Sequence, residues 1–131
     1  MAKRVLIKAG QVAKEAVFND SPTAEKIWQA LPIEGRAETW GEEIYFSIPV
    51  KVDLEAGARE VVEEGDLGYW PTGHAFCIFF GPTPASRGRE IRAASAVNVI
   101  GRVTGPAKDF KQVPPGAKVR IEKAEESSPR R

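Results

Sequence analysis

Residues 65–84 read GDLGYWPTGHAFCIFFGPTP and contain an apolar block between two groups of turn residues. The block runs over residues 75–80, after Pro71-Thr72-Gly73 and before Gly81-Pro82. A short apolar run bounded by glycine and proline is typical of a strand that is buried on both faces. We therefore predict a buried strand here, around which the other elements are arranged.

The aromatic and imidazole side chains that precede this block have the character of a pocket rim. Tyr69 and Trp70 are interpreted as residues of the exposed type, and His74 stands at the edge between a loop and the strand. A single histidine can carry protons near neutral pH. The simpler interpretation is that both aromatics are ordinary half-buried residues and that the histidine only forms hydrogen bonds.

The size and charge of the chain favour one soluble domain without a polyanionic partner. The 131 residues suffice for one hydrophobic core. The formal net charge is only +1, so we predict no nucleic-acid partner. No segment reaches membrane-spanning length, and the apolar stretch near the N-terminus is too short for a signal peptide. We predict a cytoplasmic protein without a membrane partner, and no pattern indicates an oligomeric state.

Cys77 is the single cysteine of the chain and lies inside the apolar block. One cysteine cannot form an intrachain disulfide, and no cluster of cysteine and histidine indicates a metal site. Because apolar burial raises the pKa of a thiol, we interpret Cys77 as a small buried hydrophobic residue and not as a nucleophile. We predict no cofactor.

A helix is predicted to begin after Ser21 and to end before Pro32. The Ser21 hydroxyl can accept a hydrogen bond from a free amide of the first turn, and Pro22 suits the first helical position. The apolar stripe expected on its buried face comprises Ala24, Ile27, Trp28 and Leu31.

Short segments of strand character succeed one another along the rest of the chain. Alternation and turn residues predict strands at 4–8, 12–18, 42–52, 59–62, 96–103 and 118–123, with one helical turn at 109–113. Glu42 shares the parity of the buried residues of strand 42–52, so its side chain has two interpretations. It points inward at the mouth of the strand, or it is solvated at the strand end. In strand 96–103 we expect one face to carry Val97, Val99, Gly101 and Val103. Many short strands with one or two short helices predict a β-barrel or sandwich.

The order strand, hairpin, strand and helix resembles the opening of cyclophilins, whose first helix begins Pro-x-Thr-Ala-Glu and here reads Pro22-Thr23-Ala24-Glu25. Gly65-Asp66 is similar to the Gly-Gly-Asp-Phe turn of that family, and Phe79-Phe80 to its Phe-Phe strand. Residues 97–103, VNVIGRV, resemble its Val-Val-Phe-Gly-x-Val strand. The combination of Gly-Asp-x-x-Tyr-Trp-Pro with Phe-Gly-Pro-Thr-Pro resembles a small prokaryotic group of cyclophilin-like proteins of unassigned function. The resemblance implies a mostly β, closed antiparallel barrel over residues 1–124, capped by one or two short helices. We expect residues 125–131 to form a flexible polar tail.

Cyclophilins isomerise Xaa-Pro peptide bonds with a set of side chains that an ungapped alignment does not find in this chain. The family uses an arginine, then Phe-Met-x-Gln before the Gly-Gly-Asp turn, and a later histidine. The matching positions here hold Glu55 for the arginine, Glu60-Val61 for Phe-Met, Glu63 for the glutamine, and about Val97 for the histidine. A gapped alignment would bring Arg36 or Arg59 to the arginine position.

The sequence supports three functional hypotheses. The first is a protein that binds a peptide or a small ligand in the same groove, relined by Trp40, Glu42, Tyr69, Trp70, His74 and Phe79. The second is an atypical peptidyl-prolyl isomerase in which aromatic residues and Arg36 or Arg59 replace the usual set. The third is a hydrolase that uses Glu42 or Asp66 as a base with His74. Asp66 also has a simpler interpretation, as a turn residue that caps backbone amides.

Overall fold

The computed structural model describes residues 3–124. Within them the chain forms ten strands, one α-helix and two 3₁₀ helices. The elements are β1 Lys3–Ala9, β2 Val12–Phe18, α1 Pro22–Ala30, β3 Ile33–Arg36, β4 Glu38–Thr39, β5 Glu43–Ser47, β6 Arg59–Val62, β7 Asp66–Trp70, β8 Ala75–Phe79, β9 Ile91–Val103 and β10 Lys118–Lys123, with 3₁₀ helices at Pro71–Gly73 and Ala107–Gln112. The predicted polar tail, residues 125–131, lies outside the described residues.

All strands belong to one antiparallel arrangement, which confirms the mostly β prediction. The hydrogen-bonded order is β3-β10-β1-β2-β9-β7-β8-β5-β4, and β6 pairs with β9 beside this path. The path has two ends, β3 and β4, so the closed barrel that the resemblance implied is not confirmed. No helix among residues 3–124 has both the length and the apolar composition needed to cross a bilayer.

Helix α1 begins and ends where the sequence predicts. The Ser21 hydroxyl accepts a hydrogen bond from the Ala24 N–H at 3.2 Å, and Pro22 occupies the first turn. The helix stops before Pro32, which cannot donate to the helical ladder. Its buried face contains Ala24 and Ile27, while Trp28 is only partly buried against the core.

Strand β8 is buried on both faces, as the apolar block predicts. Phe76 and Ile78 belong to the main core between the sheet and α1, whereas Cys77 and Phe79 point the opposite way. On that side they join a second, smaller group, which we call the outer cluster. Its buried members are Val62, Ala75, Cys77, Phe79, Ile91, Ala93 and Val97. The sheet therefore has apolar residues on both of its faces in this region.

The strand predicted over residues 42–52 is shorter in the structure. Only Glu43–Ser47 forms β5, because Gly41 adopts a left-handed turn with φ of 61° just before it. Beyond Ser47 the Ile48 N–H donates to the His74 carbonyl, and Pro49 offers no N–H to extend the ladder. Ile48 nevertheless stays buried in the main core.

Strand β9 is longer than predicted and contains a bulge that divides its faces. Leu67 pairs with Gly101 while Gly68 pairs with Val99, which leaves Ile100 as an extra residue. The prediction of one common face for residues 97–103 is therefore wrong. Val97 lies in the outer cluster, whereas Val103, beyond the bulge, packs in the main core.

Candidate functional site

A pocket of about 210 Å³ lies on the outer face of the sheet, above the outer cluster. Strand β5 contributes an acid and a phenol to it, β7 an indole, and β9 three small apolar residues. The turn between β4 and β5 adds a second indole. The lining residues are Trp40, Glu43, Tyr45, Trp70, Ala93, Ala94 and Val97.

The aromatic walls of this pocket are held in place by specific contacts. Tyr45 and Trp70 meet edge to face, with ring centroids 6.5 Å apart and planes at 77°. The Trp70 indole N–H donates to the Ser95 hydroxyl at 2.6 Å, so this polar atom is already satisfied. The Trp40 backbone N–H donates to the Glu43 carbonyl at 3.0 Å, which folds Trp40 back toward β5.

Glu43 is a buried carboxyl group at the wall of an apolar pocket. The residue is 5% exposed. Burial raises the pKa of Glu43 to about 7, although the adjacent Cys77 thiol, whose own hydrogen bond goes to the Ala75 carbonyl, lowers it in part. None of the ion pairs within residues 3–124 includes this carboxyl group. At neutral pH Glu43 is thus present in both its charged and its neutral form.

The other titratable groups next to Glu43 are weaker acids. Burial, and then the adjacent carboxylate of Glu43, raise the pKa of the Cys77 thiol well above its usual range. Cys77 is 1% exposed, which confirms the prediction that it is buried. Burial, followed by the charges of Glu38 and Glu43, also raises the pKa of the Tyr45 phenol. Glu43 is therefore the group that exchanges a proton at this pocket near pH 7.

Of the six residues that the sequence predicts for the groove, the structure brings Trp40 and Trp70 together in the pocket. Phe79 lies beneath it, fully buried in the outer cluster. The remaining three residues, Tyr69, Glu42 and His74, lie elsewhere in the fold.

Tyr69 is a core residue, not one of the exposed type. Its side chain is 0% exposed, and its hydroxyl donates to the Val50 carbonyl at 2.5 Å. The same hydroxyl accepts from the Val52 N–H at 3.4 Å. Tyr69 thereby holds the irregular segment after β5 against the sheet.

Glu42 and His74 both point away from the pocket. The Glu42 carboxylate lies 3.3 Å from the Lys108 ammonium and 3.6 Å from that of Lys111, which is the solvated alternative for this residue. His74 is exposed and ends the 3₁₀ helix Pro71–Gly73 in a left-handed conformation with φ of 48°. The two residues belong to different surfaces of the molecule.

Neither Glu42 nor Asp66, the two bases considered for hydrolysis, forms a catalytic arrangement with His74. The Asp66 carboxylate accepts a hydrogen bond from the Glu63 N–H at 2.9 Å, so its interpretation as a turn-capping residue is confirmed. Among residues 3–124, no group of three or more histidine, cysteine, aspartate or glutamate side chains could hold a metal ion.

The residue that matches the cyclophilin arginine has a structural role here. The Glu55 carboxylate accepts from the Thr23 N–H at 2.9 Å and from the Thr23 hydroxyl, at the start of α1. The buried Asn98 amide donates to the same hydroxyl and to the Asp53 carbonyl, both at 3.0 Å. This network ties the segment before β6 to the helix and to β9.

The sequence patterns do not identify Glu43 and Tyr45 as site residues. Their parity in β5 is opposite to that of Ile44 and Phe46, and alternation alone predicts that face to be solvated. The sequence of β8 indicates indirectly that the face of Glu43 and Tyr45 is buried, because a strand with two buried faces must be packed against other residues on both sides. That cover includes the outward residues of the neighbouring strand, here β5.

Comparison with known proteins gives a family and a structural neighbour. The family model described as Cyclophilin-like matches residues 3–122. The solution structure of the hypothetical protein AF2241 from Archaeoglobus fulgidus is similar over 94% of this chain and 95% of that chain, with 41% sequence identity and a TM-score of 0.80. No curated protein matches the sequence significantly.

Proposed function

The chain belongs to the cyclophilin-like family, and we propose that it binds a small ligand, or one side chain of a peptide, in the pocket between β5, β7 and β9. The observation that carries this proposal is a buried carboxyl group that forms no ion pair within residues 3–124, set in an otherwise apolar, aromatic-walled cavity. Ligand sites commonly combine a mostly apolar lining with a few convergent polar groups. An apolar group would fill the cavity while Glu43 supplies the polar contact.

Filling the pocket with a bulky side chain should weaken this binding. Ala94 is exposed at the lining, so Ala94→Phe adds a ring there without removing a core contact. We expect the affinity for 3,3-dimethyl-1-butanol, a compact neutral probe, to fall by at least about tenfold. Ligand-observed NMR measures the change. The matched control is Ala13→Phe at an exposed position of β2, and equal affinities of the two variants would refute the proposed site.

Proline isomerisation is the second candidate, and the position of Arg59 favours it. Arg59 of β6 is paired with Val97 of β9, one of the residues that line the pocket. The register shifts beyond this pair, and Arg59 itself lines a second cavity together with Asp66 and Arg102. An Xaa-Pro amide held there would lie within reach of the guanidinium, which would stabilise it when twisted. Arg36, the other candidate, donates instead to the Gly116 carbonyl at 3.3 Å.

An exchange experiment tests this second candidate. If the protein is an isomerase, NMR exchange spectroscopy on an Ala-Pro peptide will record faster cis–trans exchange with the protein than without it. Arg59→Ala will then abolish the acceleration, while Arg89→Ala, in an exposed loop, will retain it. If the peptide in the presence of the wild-type protein still isomerises on the uncatalysed time scale of tens to hundreds of seconds, this candidate is eliminated.

We also propose that the sheet closes into a barrel at Ala37. The two ends of the hydrogen-bonded path, β3 and β4, are consecutive in sequence with only this residue between them. The Ala37 N–H donates to the Ala117 carbonyl at 2.8 Å, and its carbonyl accepts from the Gly116 N–H at 2.7 Å. These contacts support a bent strand that joins both ends of the sheet.

A further inference from the structure

We infer that the pocket takes a methylated ammonium group, enclosed by Trp40, Tyr45 and Trp70 and neutralised by the carboxylate of Glu43. This inference rests on the proposed function and names the chemistry of its ligand. A small quaternary amine and a methylated lysine side chain present the same group.

Within residues 3–124, the carboxylate of Glu43 has no positively charged partner. A buried carboxylate is costly unless a cation or several hydrogen-bond donors accompany it. The adjacent Glu42 has such partners, the ammonium groups of Lys108 and Lys111. Among the described residues, Glu43 has beside it only the thiol of Cys77, a weak donor that is directed at the Ala75 carbonyl at 3.9 Å. A cation delivered by a ligand would supply what the described part of the chain does not.

The walls of the pocket are aromatic, and aromatic rings attract cations. Cations are attracted to the faces of tryptophan and tyrosine rings, most strongly when solvent is excluded. The indole N–H of Trp70 is occupied by Ser95, so the ring presents π surface and not a donor to the ligand. Tyr45 stands nearly perpendicular to Trp70, at 77°, and the two rings therefore form two adjoining walls.

The apolar lining of the pocket favours a methylated ammonium group over an unmethylated one. A primary ammonium group carries three N–H donors, and a guanidinium group carries five. The polar atoms that line the pocket are few, while Ala93, Ala94 and Val97 form its apolar side. Most of those donors would lose their hydrogen bonds to water without replacement. Methyl groups need no acceptor, and they spread the charge over a surface that suits aromatic walls.

Choline and 3,3-dimethyl-1-butanol test the inference, because they have the same shape and differ by the charged nitrogen. Isothermal titration calorimetry at about pH 8.5 should give a dissociation constant for choline that is at least about tenfold lower than that for 3,3-dimethyl-1-butanol. Glu43→Gln should remove this preference. The control is Glu122→Gln on β10, a strand that shares no ladder with β5, β7 or β9, and it should retain the preference.

The outcomes separate this inference from the proposed function. Equal affinities for the two probes would overturn the ammonium inference and leave a pocket for neutral ligands. Binding of neither probe would overturn both proposals. N-acetyl-trimethyllysine methylamide serves as a third probe. Its affinity relative to choline tells whether the ammonium comes from a protein side chain or a free amine, and a preference for either over the neutral alcohol supports the inference.

The preference for choline should also depend on pH. At about pH 5.5 Glu43 is largely protonated, so choline affinity should fall toward that of the alcohol; in Glu43→Gln it should not change. The titratable groups that face Glu43 are Cys77 from β8 and Tyr45 from its own strand, with Glu38 from β4 next to Tyr45. Burial and neighbouring negative charge raise the pKa of the thiol and of the phenol, so neither group explains a change below pH 7. A pH-independent preference in the wild-type protein would contradict the role of Glu43.

Discussion

Replacing Gly101 with alanine is expected to lower the free energy of unfolding by more than about 4 kcal/mol, or to prevent folding. A Cβ atom at this position would lie 2.2 Å from the Val17 carbonyl oxygen and 2.9 Å from the Phe18 Cα atom. Both are backbone atoms of β2, the partner strand, so no side-chain rotation relieves the overlap. Strand β9 would have to separate from β2 at the point where the two halves of the sheet meet.

Urea denaturation followed by circular dichroism measures this effect. Gly57→Ala is the matched control, because a Cβ atom there meets nothing within 4 Å and its backbone does not require glycine. We expect the control to stay within about 0.5 kcal/mol of the wild type, as most surface substitutions do. Similar unfolding curves for the two variants would mean that the close approach of β2 and β9 is not required for folding.

Glu43→Gln is expected to stabilise the protein at alkaline pH and to remove part of its pH dependence. Burial raises the pKa of Glu43 to about 7 in the folded chain, from an ordinary value of 4.5. Between these two values the folded state binds a proton that the unfolded state releases, so the free energy of unfolding falls as pH rises. One unit of pKa difference corresponds to about 1.4 kcal/mol, so the fall from Glu43 alone is roughly 3 kcal/mol.

Urea denaturation at about pH 5, 6, 7 and 8 tests this account. The stability of Glu43→Gln relative to wild type should rise by roughly 2.5 kcal/mol across the series, because glutamine carries no charge to bury. Glu42→Gln should retain the wild-type fall, since Glu43 is intact in that variant. If the curves of wild type and Glu43→Gln stay parallel from pH 5 to 8, then Glu43 is not the buried proton-exchanging group described here.

The elements of the fold depend closely on local sequence patterns. The Ser21-Pro22 start of α1, the hairpin of β1 and β2, and the buried block of β8 depend on nearby residues, and each lies where it is predicted. Strand β10 also has Val119 and Ile121 inward, as alternation requires. Patterns of this kind record the contacts of a segment with its own neighbours and with one buried face.

The faces of two strands could not be obtained in this way. Alternation assumes an uninterrupted strand, and the extra residue Ile100 reverses the orientation of the side chains beyond it in β9. In β5, alternation places Ile44 and Phe46 inward as the structure does, but it predicts the opposite face, with Glu43, to be solvated. Both errors arise from the pairing of distant segments, which inserts the bulge in β9 and covers the outer face of β5.

The candidate site was only partly predictable for the same reason. Trp40 and Trp70 are predicted as aromatic residues of the relined groove, and both line the pocket. Burial of Glu43 depends on side chains from β7 and β9, which are remote from it in sequence. The prediction that Glu55 replaces the cyclophilin arginine rests on counting from the Gly65-Asp66 turn. The structure adds that this carboxylate is bound at the start of α1.

The central claim, that ligands bind between β5, β7 and β9, is tested most directly by the indole signals of the three tryptophans. In a ¹H–¹⁵N NMR titration with choline at about pH 8, the side-chain signals of Trp40 and Trp70 should shift and saturate together. Trp28 packs against Phe18 in edge-to-face contact, away from the pocket, and its indole signal should stay in place. Uniform small shifts of all three signals, or a shift of Trp28 alone, would contradict the claim.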